Sequence, residues 1–213
     1  MRERYPTDLS DAQWEYIEAL VPTPRAAGRP RRHSLREILD AIFYIVPSGC
    51  AWRLLAHEFP PWRTVHHYYF RTWRINGTWE GMHAALRERL PVRLKKRDPQ
   101  PSAGVVDSQS VKTMGVGGAQ RGYDGGKKKV EGRKRHLLVD TEGLVLTAKV
   151  HSTKVLDLEG IKTLLDGAKE MFPHLSHLWL DAGYIGEEKG RGWVEKILGW
   201  TVDFVERPRK PAP

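Results

Sequence analysis

The stretch Ala103-Gly104-Val105-Val106-Asp107 is a short apolar run that ends in a carboxylate, and His177-Leu178-Trp179-Leu180-Asp181 repeats this pattern. Each run has the length and composition of a buried β-strand. A basic hairpin and a helix are predicted between them, which is typical of a mixed sheet with helices packed on it. We therefore expect Asp107 and Asp181 to end neighbouring strands, where two carboxylates can hold divalent metal ions.

The charge balance indicates the kind of partner. Lys and Arg number 35 against 26 Asp and Glu, which gives a net charge of +9. Such an excess favours nucleic acid or an anionic membrane surface, and a solvated basic surface is the alternative. Metal ions beside an acidic pair in a basic chain suggest chemistry on a polyanion such as DNA.

Cysteine content and hydropathy limit the environment. The single Cys50 excludes an internal disulfide and a Cys-rich zinc site. The N-terminus has no apolar stretch typical of a signal peptide, and no run approaches the roughly 18 apolar residues of a spanning helix. These features predict a soluble, cytoplasmic protein.

The first ninety residues are predicted to be helical. Ser10 to Gln13 and Ser34 to Glu37 form capping boxes, each followed by apolar residues at helical spacing. Two further helices are predicted from about Trp62 to Trp73 and from Thr78 to Leu90. Short helices joined by tight turns suit a helix-turn-helix-like bundle. The predicted organisation is a helical DNA-binding domain at 1–91, a charged, proline-flanked linker at 92–101 and a second domain at 102–213.

The second domain has the pattern of an α+β or α/β fold. Strands are predicted at 103–107, 134–140, 144–151, 177–181 and 201–206, with helices at 158–171 and 187–198 and a Gly-rich basic loop at 115–132. Asp140 and Asp157 are rivals for metal contact. Asp140 is expected to begin the Thr141-Glu142-Gly143 turn, and Asp157 to be a helix N-cap.

Several motifs, in order, carry a resemblance to a known family. In the first ninety residues they are Asp8-Leu9-Ser10-Asp11-Ala12-Gln13-Trp14, Gly28-Arg29-Pro30, Ser48-Gly49-Cys50-Ala51-Trp52-Arg53 and Phe59-Pro60-Pro61-Trp62-Arg63-Thr64-Val65. Further along they are Val106-Asp107-Ser108-Gln109-Ser110-Val111-Lys112, the segment 132–140 and Leu180-Asp181-Ala182-Gly183-Tyr184. Together they resemble bacterial insertion-sequence DDE transposases, specifically the family called insertion sequence five.

This resemblance implies a ribonuclease-H-like second domain and metal-dependent DNA strand cleavage and transfer. Asp107 and Asp181 correspond to the first two catalytic carboxylates and would bind Mg²⁺ (or Mn²⁺). The implied partner is double-stranded DNA, as terminal repeats and as target. The implied assembly is a homodimer, or a mixed oligomer with full-length transposase, associated with the nucleoid.

The family's third carboxylate is a Glu on a helix after the fifth strand, followed by a basic tail. Here the chain stops at Pro213, and Glu206 beside Pro208 is a poor substitute. We therefore expect a C-terminally truncated transposase whose isolated chain is inactive. The alternative is a catalytically inactive DNA-binding regulator of transposition.

The densest cationic run, 127–135, is predicted to contact phosphates, with a solvated hairpin tip as the alternative. A loop at 25–32 and a candidate recognition helix, in which Trp62, Tyr69 and Trp73 are expected to be core, add further contacts. The predicted DNA-binding residues are Arg29, Arg31, Arg32, Thr64, His67, Lys112, Arg121, Lys127, Lys128, Lys129, Arg133, Lys134 and Arg135.

Overall fold

The computed structural model describes residues 2–22, 31–95, 98–113, 121–124, 130–185 and 190–205. The chain divides into two compact units, residues 1–95 and 96–213. This boundary falls within the predicted linker at 92–101, whose first residues belong to the last helix of the first unit, which continues to Lys95.

The first unit is helical. Its helices are α1 (Asp11–Glu18), α2 (Leu35–Ser48), α3 (Arg71–Ile75) and α4 (Thr78–Lys95), and a π-helical segment, Thr64–Phe70, leads directly into α3. Both predicted capping boxes are present, at Ser10 with Gln13 and at Ser34 with Glu37. The helical character is thus confirmed, whereas the helix-turn-helix arrangement stays a prediction.

The described part of the second unit contains a six-stranded mixed sheet. Its strands are β1 (Ala103–Lys112), β2 (Gly122–Asp124), β3 (Val130–Asp140), β4 (Val145–Ser152), β5 (His177–Asp181) and β6 (Thr201–Val205). β3 pairs antiparallel with β1, β2 and β4, whereas β1, β5 and β6 are parallel. The predicted mixed sheet is confirmed.

Two predicted strand boundaries are wrong. Asp107 does not end its strand, because β1 continues to Lys112 and pairs with β3 as far as Lys112 and Gly132. β3 likewise begins at Val130, and β2 lies within the predicted loop. These extensions consist largely of polar residues, so they show no alternation of apolar and polar side chains. Their backbones nevertheless pair with the neighbouring strands of the sheet.

The helices of the second unit pack on the sheet around one apolar core. They are α5 (Asp157–Leu165), α6 (Ala168–Met171) and α7 (Arg191–Trp193), which continues as a π-helical segment, Val194–Leu198. The predicted single helix at 158–171 is broken, because Gly167 adopts a left-handed conformation with φ 69°. Ile161, Leu164 and Leu165 of α5 are fully buried against Leu138 and Leu178 of the sheet.

Candidate active site and DNA-binding surfaces

Asp107 and Asp181 occupy matching positions on neighbouring parallel strands. The register pairs Ala103 with His177 and Val105 with Trp179, and each Asp lies two residues further along its strand. Side chains of paired residues in parallel strands share a face and alternate along the strand. Val106, just before Asp107, is 2% exposed, and Leu180, just before Asp181, is 1% exposed. Because these two side chains enter the core, the carboxylates that follow them point away from it. Both Asp residues are exposed.

The donor set fits a hard divalent cation. Mg²⁺ is commonly bound by one or two carboxylates, with water and phosphate oxygens completing the shell. Among the residues that the structure describes, no group of three or more His, Cys, Asp or Glu side chains could hold a metal ion. The pair therefore offers carboxylate ligands without a closed cage, and Glu206 lies outside the described residues.

The turn that follows β5 fixes one of the two carboxylates. Oδ1 of Asp181 accepts a hydrogen bond of 2.8 Å from the backbone N–H of Gly183. Tyr184 ends this 3₁₀ turn and is fully buried. Burial raises the pKa of the Tyr184 phenol, and the negative charges of Asp157, Asp181 and Asp107 raise it further.

The two rival carboxylates have structural partners. Oδ1 of Asp140 accepts hydrogen bonds from the backbone N–H groups of Glu142 (2.8 Å) and Leu144 (2.9 Å), so the predicted turn role is confirmed. The N-cap prediction for Asp157 is wrong. Leu156 is the N-cap, and Asp157 is the first helical residue, with its side chain directed towards the sheet.

A buried polar cluster surrounds Asp157 and was not predicted. Oδ1 of Asp157 accepts a hydrogen bond from Ser108 Oγ at 3.0 Å. The same oxygen lies 3.0 Å from Lys134 Nζ and 3.5 Å from His136 Nε2. Hydrogen bonding by His136 and Lys134 holds the pKa of Asp157 far below its usual range, although burial opposes this. His136 is fully buried, and its Nδ1 lies 2.8 Å from His151 Nε2.

Strand alternation is the signal that could have revealed this cluster. Lys134, His136 and Leu138 occupy every second position of β3, so a buried Leu138 places the other two on the same face. Gly160 of α5 lets the helix approach this face, because a Cβ there would lie 2.2 Å from the His136 ring.

Lys134 is a correction to the predicted DNA contacts. Its side chain is buried, and Nζ donates to the Val155 carbonyl oxygen at 3.1 Å besides pairing with Asp157. The charge run suggested a solvated hairpin, but alternation turns this lysine inward. It is therefore unavailable to a phosphate.

The other predicted contacts of the second unit differ in exposure. Lys112 and Arg135 are exposed, and Arg135 hydrogen-bonds Gln109 on the neighbouring strand. Arg133 is half-buried, and Arg121 pairs with Glu131 at 3.2 Å. Lys127, Lys128 and Lys129 lie outside the described residues.

In the first unit, the predicted recognition helix has a buried and an exposed side. Trp73 is buried, and Trp62 and Tyr69 pack partly buried against the core, as expected. Thr64 is half-buried and His67 is exposed. In the preceding loop, Arg31 donates to the Pro22 carbonyl oxygen at 3.1 Å, Arg32 is exposed and Arg29 lies outside the described residues.

Three arginines that the sequence analysis missed join His67. Arg63, Arg71 and Arg74 are exposed and lie on the same helical segment as His67. In chain order, Arg63 is followed after four residues by His67, which is followed after four residues by Arg71 and then after three by Arg74. Such spacing places side chains on one side of a helix. The pKa of His66 is lowered by burial and then by the charges of His67, Arg71 and Arg74. We call Arg63, His67, Arg71 and Arg74 the cationic helix face.

Comparisons with known proteins agree with both units. Residues 9–83 match a family model for transposases of the IS4/5 family, and residues 98–212 match the model described as transposase DDE domain. The mixed sheet and helices are consistent with the ribonuclease-H-like fold of such domains. No helix in the described ranges has the length and apolar character needed to cross a membrane.

One curated relative shares part of the sequence. Uncharacterized protein y4sN of Sinorhizobium fredii (strain NBRC 101917 / NGR234) is 36% identical over 78 residues. The matched segment covers 37% of this chain and 62% of that relative, so it spans less than two thirds of the relative's length.

Proposed function

This chain belongs to the transposase DDE-domain family, and we propose that it binds the ends of an insertion sequence and catalyses metal-dependent cleavage and transfer of DNA strands. The register of β1 and β5 is the observation that carries the proposal. Continued two residues beyond its last pair, Val105 with Trp179, this register would bring Asp107 and Asp181 to the same exposed side of the two strands. Family membership supports a role in transposition, and the carboxylate pair supplies the chemistry.

Asp107 and Asp181 are the proposed ligands of Mg²⁺ or Mn²⁺. When bound, such ions lower the pKa of an attacking hydroxyl and stabilise the leaving 3′-oxygen. The two carboxylates supply the negative charge that retains the cation, and their exposure leaves room for the DNA phosphate. The Gly183 N–H orients the Asp181 carboxylate through its hydrogen bond.

Double-stranded DNA is the proposed partner of both units. In the first unit, the proposed phosphate contacts are the cationic helix face, Arg31, Arg32 and Thr64. Arg29, which lies outside the described residues, is proposed as a further contact because the sequence predicts it. In the second unit the proposed contacts are Lys112, Arg121, Arg133, Arg135, Lys127, Lys128 and Lys129. Because an insertion sequence has two ends, we propose a homodimer, or a mixed oligomer with full-length transposase, on cytoplasmic nucleoid DNA.

A DNA-binding regulator without catalysis is the second candidate. The observation that favours it is that the described residues supply two carboxylates but no group of three metal-binding side chains. Two-metal sites usually use more protein ligands than this pair provides. A regulator would occupy the element ends through its cationic surfaces and leave the strands intact.

Cleavage of a labelled element end in Mg²⁺ distinguishes the two candidates. A transposase cuts the strand, and Asp107→Asn or Asp181→Asn lowers the rate at least about 100-fold. Asp140→Asn is the matched control, because its retained Oδ1 can still accept the turn hydrogen bonds. Binding without cleavage by the unaltered chain identifies the regulator. Cleavage that survives both active-site substitutions contradicts the carboxylate assignment.

A further inference from the structure

Backbone pairing between β1 and β5 stops short of the two carboxylates. Within these two strands the ladder ends at Val105 and Trp179, two residues before Asp107 and Asp181. The separation of the carboxylates is therefore not set by hydrogen bonds between their own backbones. Asp107 instead pairs with Leu137 of β3 and Asp181 with Val205 of β6, so the separation depends on these outer pairings and on side chains on the buried side of the sheet.

Ser108 begins this connection on β1. It follows Asp107, and its side chain lies on the opposite side of the strand, where Oγ donates to Asp157 Oδ1 at 3.0 Å. Asp157 is held in turn by Lys134 of β3 at 3.0 Å. Because α5 begins at Asp157, the contact ties β1 to β3 and to the helix end.

Tyr184 makes the corresponding connection after β5. It lies three residues beyond Asp181, is 1% exposed, and its ring packs edge-on against the ring of His136 with centroids 6.2 Å apart. Its hydroxyl is buried and, among the described residues, has no partner at good hydrogen-bond geometry.

We propose that Ser108 and Tyr184 are positioning residues that set the distance between Asp107 and Asp181, Ser108 through its hydrogen bond to Asp157 and Tyr184 through its ring, which packs on His136. The inference rests on the proposed function, since it assigns a cation to this carboxylate pair. Each residue is close in sequence to one carboxylate and contacts the buried cluster below it. Loss of the Ser108 hydroxyl or of the Tyr184 ring would let one carboxylate shift relative to the other, which would weaken their joint hold on the cation.

Binding of Mn²⁺ alone tests the role without DNA or turnover. Free Mn²⁺ is measured by electron paramagnetic resonance during titration of the full chain. Tyr184→Leu and Ser108→Ala are expected to raise the dissociation constant about 10-fold, the lower end for partners that orient metal ligands. Ser108→Thr retains the hydroxyl and should restore affinity. Tyr184→Phe retains the ring that packs on His136 and should bind like the unaltered chain.

Thermal unfolding of each variant separates positioning from stability. Variants that unfold at lower temperature but bind Mn²⁺ with unchanged affinity overturn the positioning role while leaving the proposed function intact. If Tyr184→Leu does not fold, the Ser108→Ala and Ser108→Thr pair decides the question. If Asp107→Asn binds Mn²⁺ as tightly as the unaltered chain, the carboxylate site itself is wrong and the positioning role fails with it.

Discussion

At the scale of single residues, Asp157 joins the start of α5 to two strands of the sheet. Its carboxylate accepts from Ser108 and pairs with Lys134, a lysine that is 6% exposed. A buried ammonium without a counter-charge is costly, so removal of this carboxylate leaves Lys134 uncompensated. The same contacts make the contribution of Asp157 to stability depend on pH.

Asp157→Asn should lower the free energy of unfolding at pH 7 by about 1–2 kcal/mol, because the carboxylate is partly exposed and its pairing is screened. The pKa of Asp157 is lower in the folded chain than in the unfolded chain. The folded state therefore binds fewer protons, and the stabilisation is complete above the unfolded pKa of about 3.9. It is lost as pH falls from there through the folded pKa.

Urea unfolding of the unaltered chain and of Asp157→Asn between pH 7 and pH 2 measures this effect. The difference between their free energies of unfolding should narrow steadily below about pH 4. A gap that stays constant over this range would show that the charge of Asp157 does not stabilise the fold.

At the scale of elements, apolar periodicity predicted the helices and the buried strands correctly, because burial on one side leaves a repeat of 3.6 or 2 residues. It failed where pairing does not require apolar side chains. The second half of β1 is polar, with Ser108, Gln109 and Ser110, yet it pairs with β3. Periodicity also continues across Gly167, so the break between α5 and α6 was missed.

The candidate site shows the same limits. Asp107 and Asp181 were found because each closes an apolar run of its strand. Strand alternation could have placed Lys134 and His136 inward, whereas the position of Asp157 beside them depends on how α5 packs on the sheet. The charge run at 127–135 concealed the inward direction of Lys134. The cationic helix face was missed because its arginines are spaced along a helix that is otherwise aromatic.

The packing of α5 on β3 gives a second prediction. Gly160→Ala should destabilise the second unit by about 1–3 kcal/mol, because the new Cβ would lie 2.2 Å from the buried His136 ring. Gly81→Ala in α4 is the matched control, since nothing lies within 4 Å of its Cβ position, and it should stabilise by about 0.5–1 kcal/mol.

Denaturant unfolding with amide hydrogen exchange localises both effects. Protection should fall in α5 for Gly160→Ala and rise in α4 for Gly81→Ala. Unchanged protection of α5 would show that the helix can move away from His136 without loss.

At the scale of the whole molecule, DNA binding and cleavage should be separable. Chelation of divalent ions with EDTA is expected to abolish cleavage and leave binding intact, because the cationic helix face needs no metal. Arg71→Ala with Arg74→Ala should weaken binding and reduce the slope of log affinity against log salt by about 0.9 per lost phosphate contact. Arg89→Ala removes an exposed charge from α4 and serves as the control.

A salt titration by fluorescence anisotropy checks this expectation. An unchanged slope in the double variant, or an equal change in Arg89→Ala, would exclude a specific role for the cationic helix face. Loss of DNA binding on addition of EDTA would show that the two activities share one surface.

The parallel pairing of β1 with β5 has a consequence for protein synthesis. Asp107 and Asp181 are 74 positions apart, and β3, β4 and α5 are translated between them. At about 5–20 residues per second, the second carboxylate is added roughly 4–15 s after the first. Every nascent chain shorter than 181 residues thus lacks the pair, so the proposed cation site cannot assemble until β5 has emerged from the ribosome and docked beside β1.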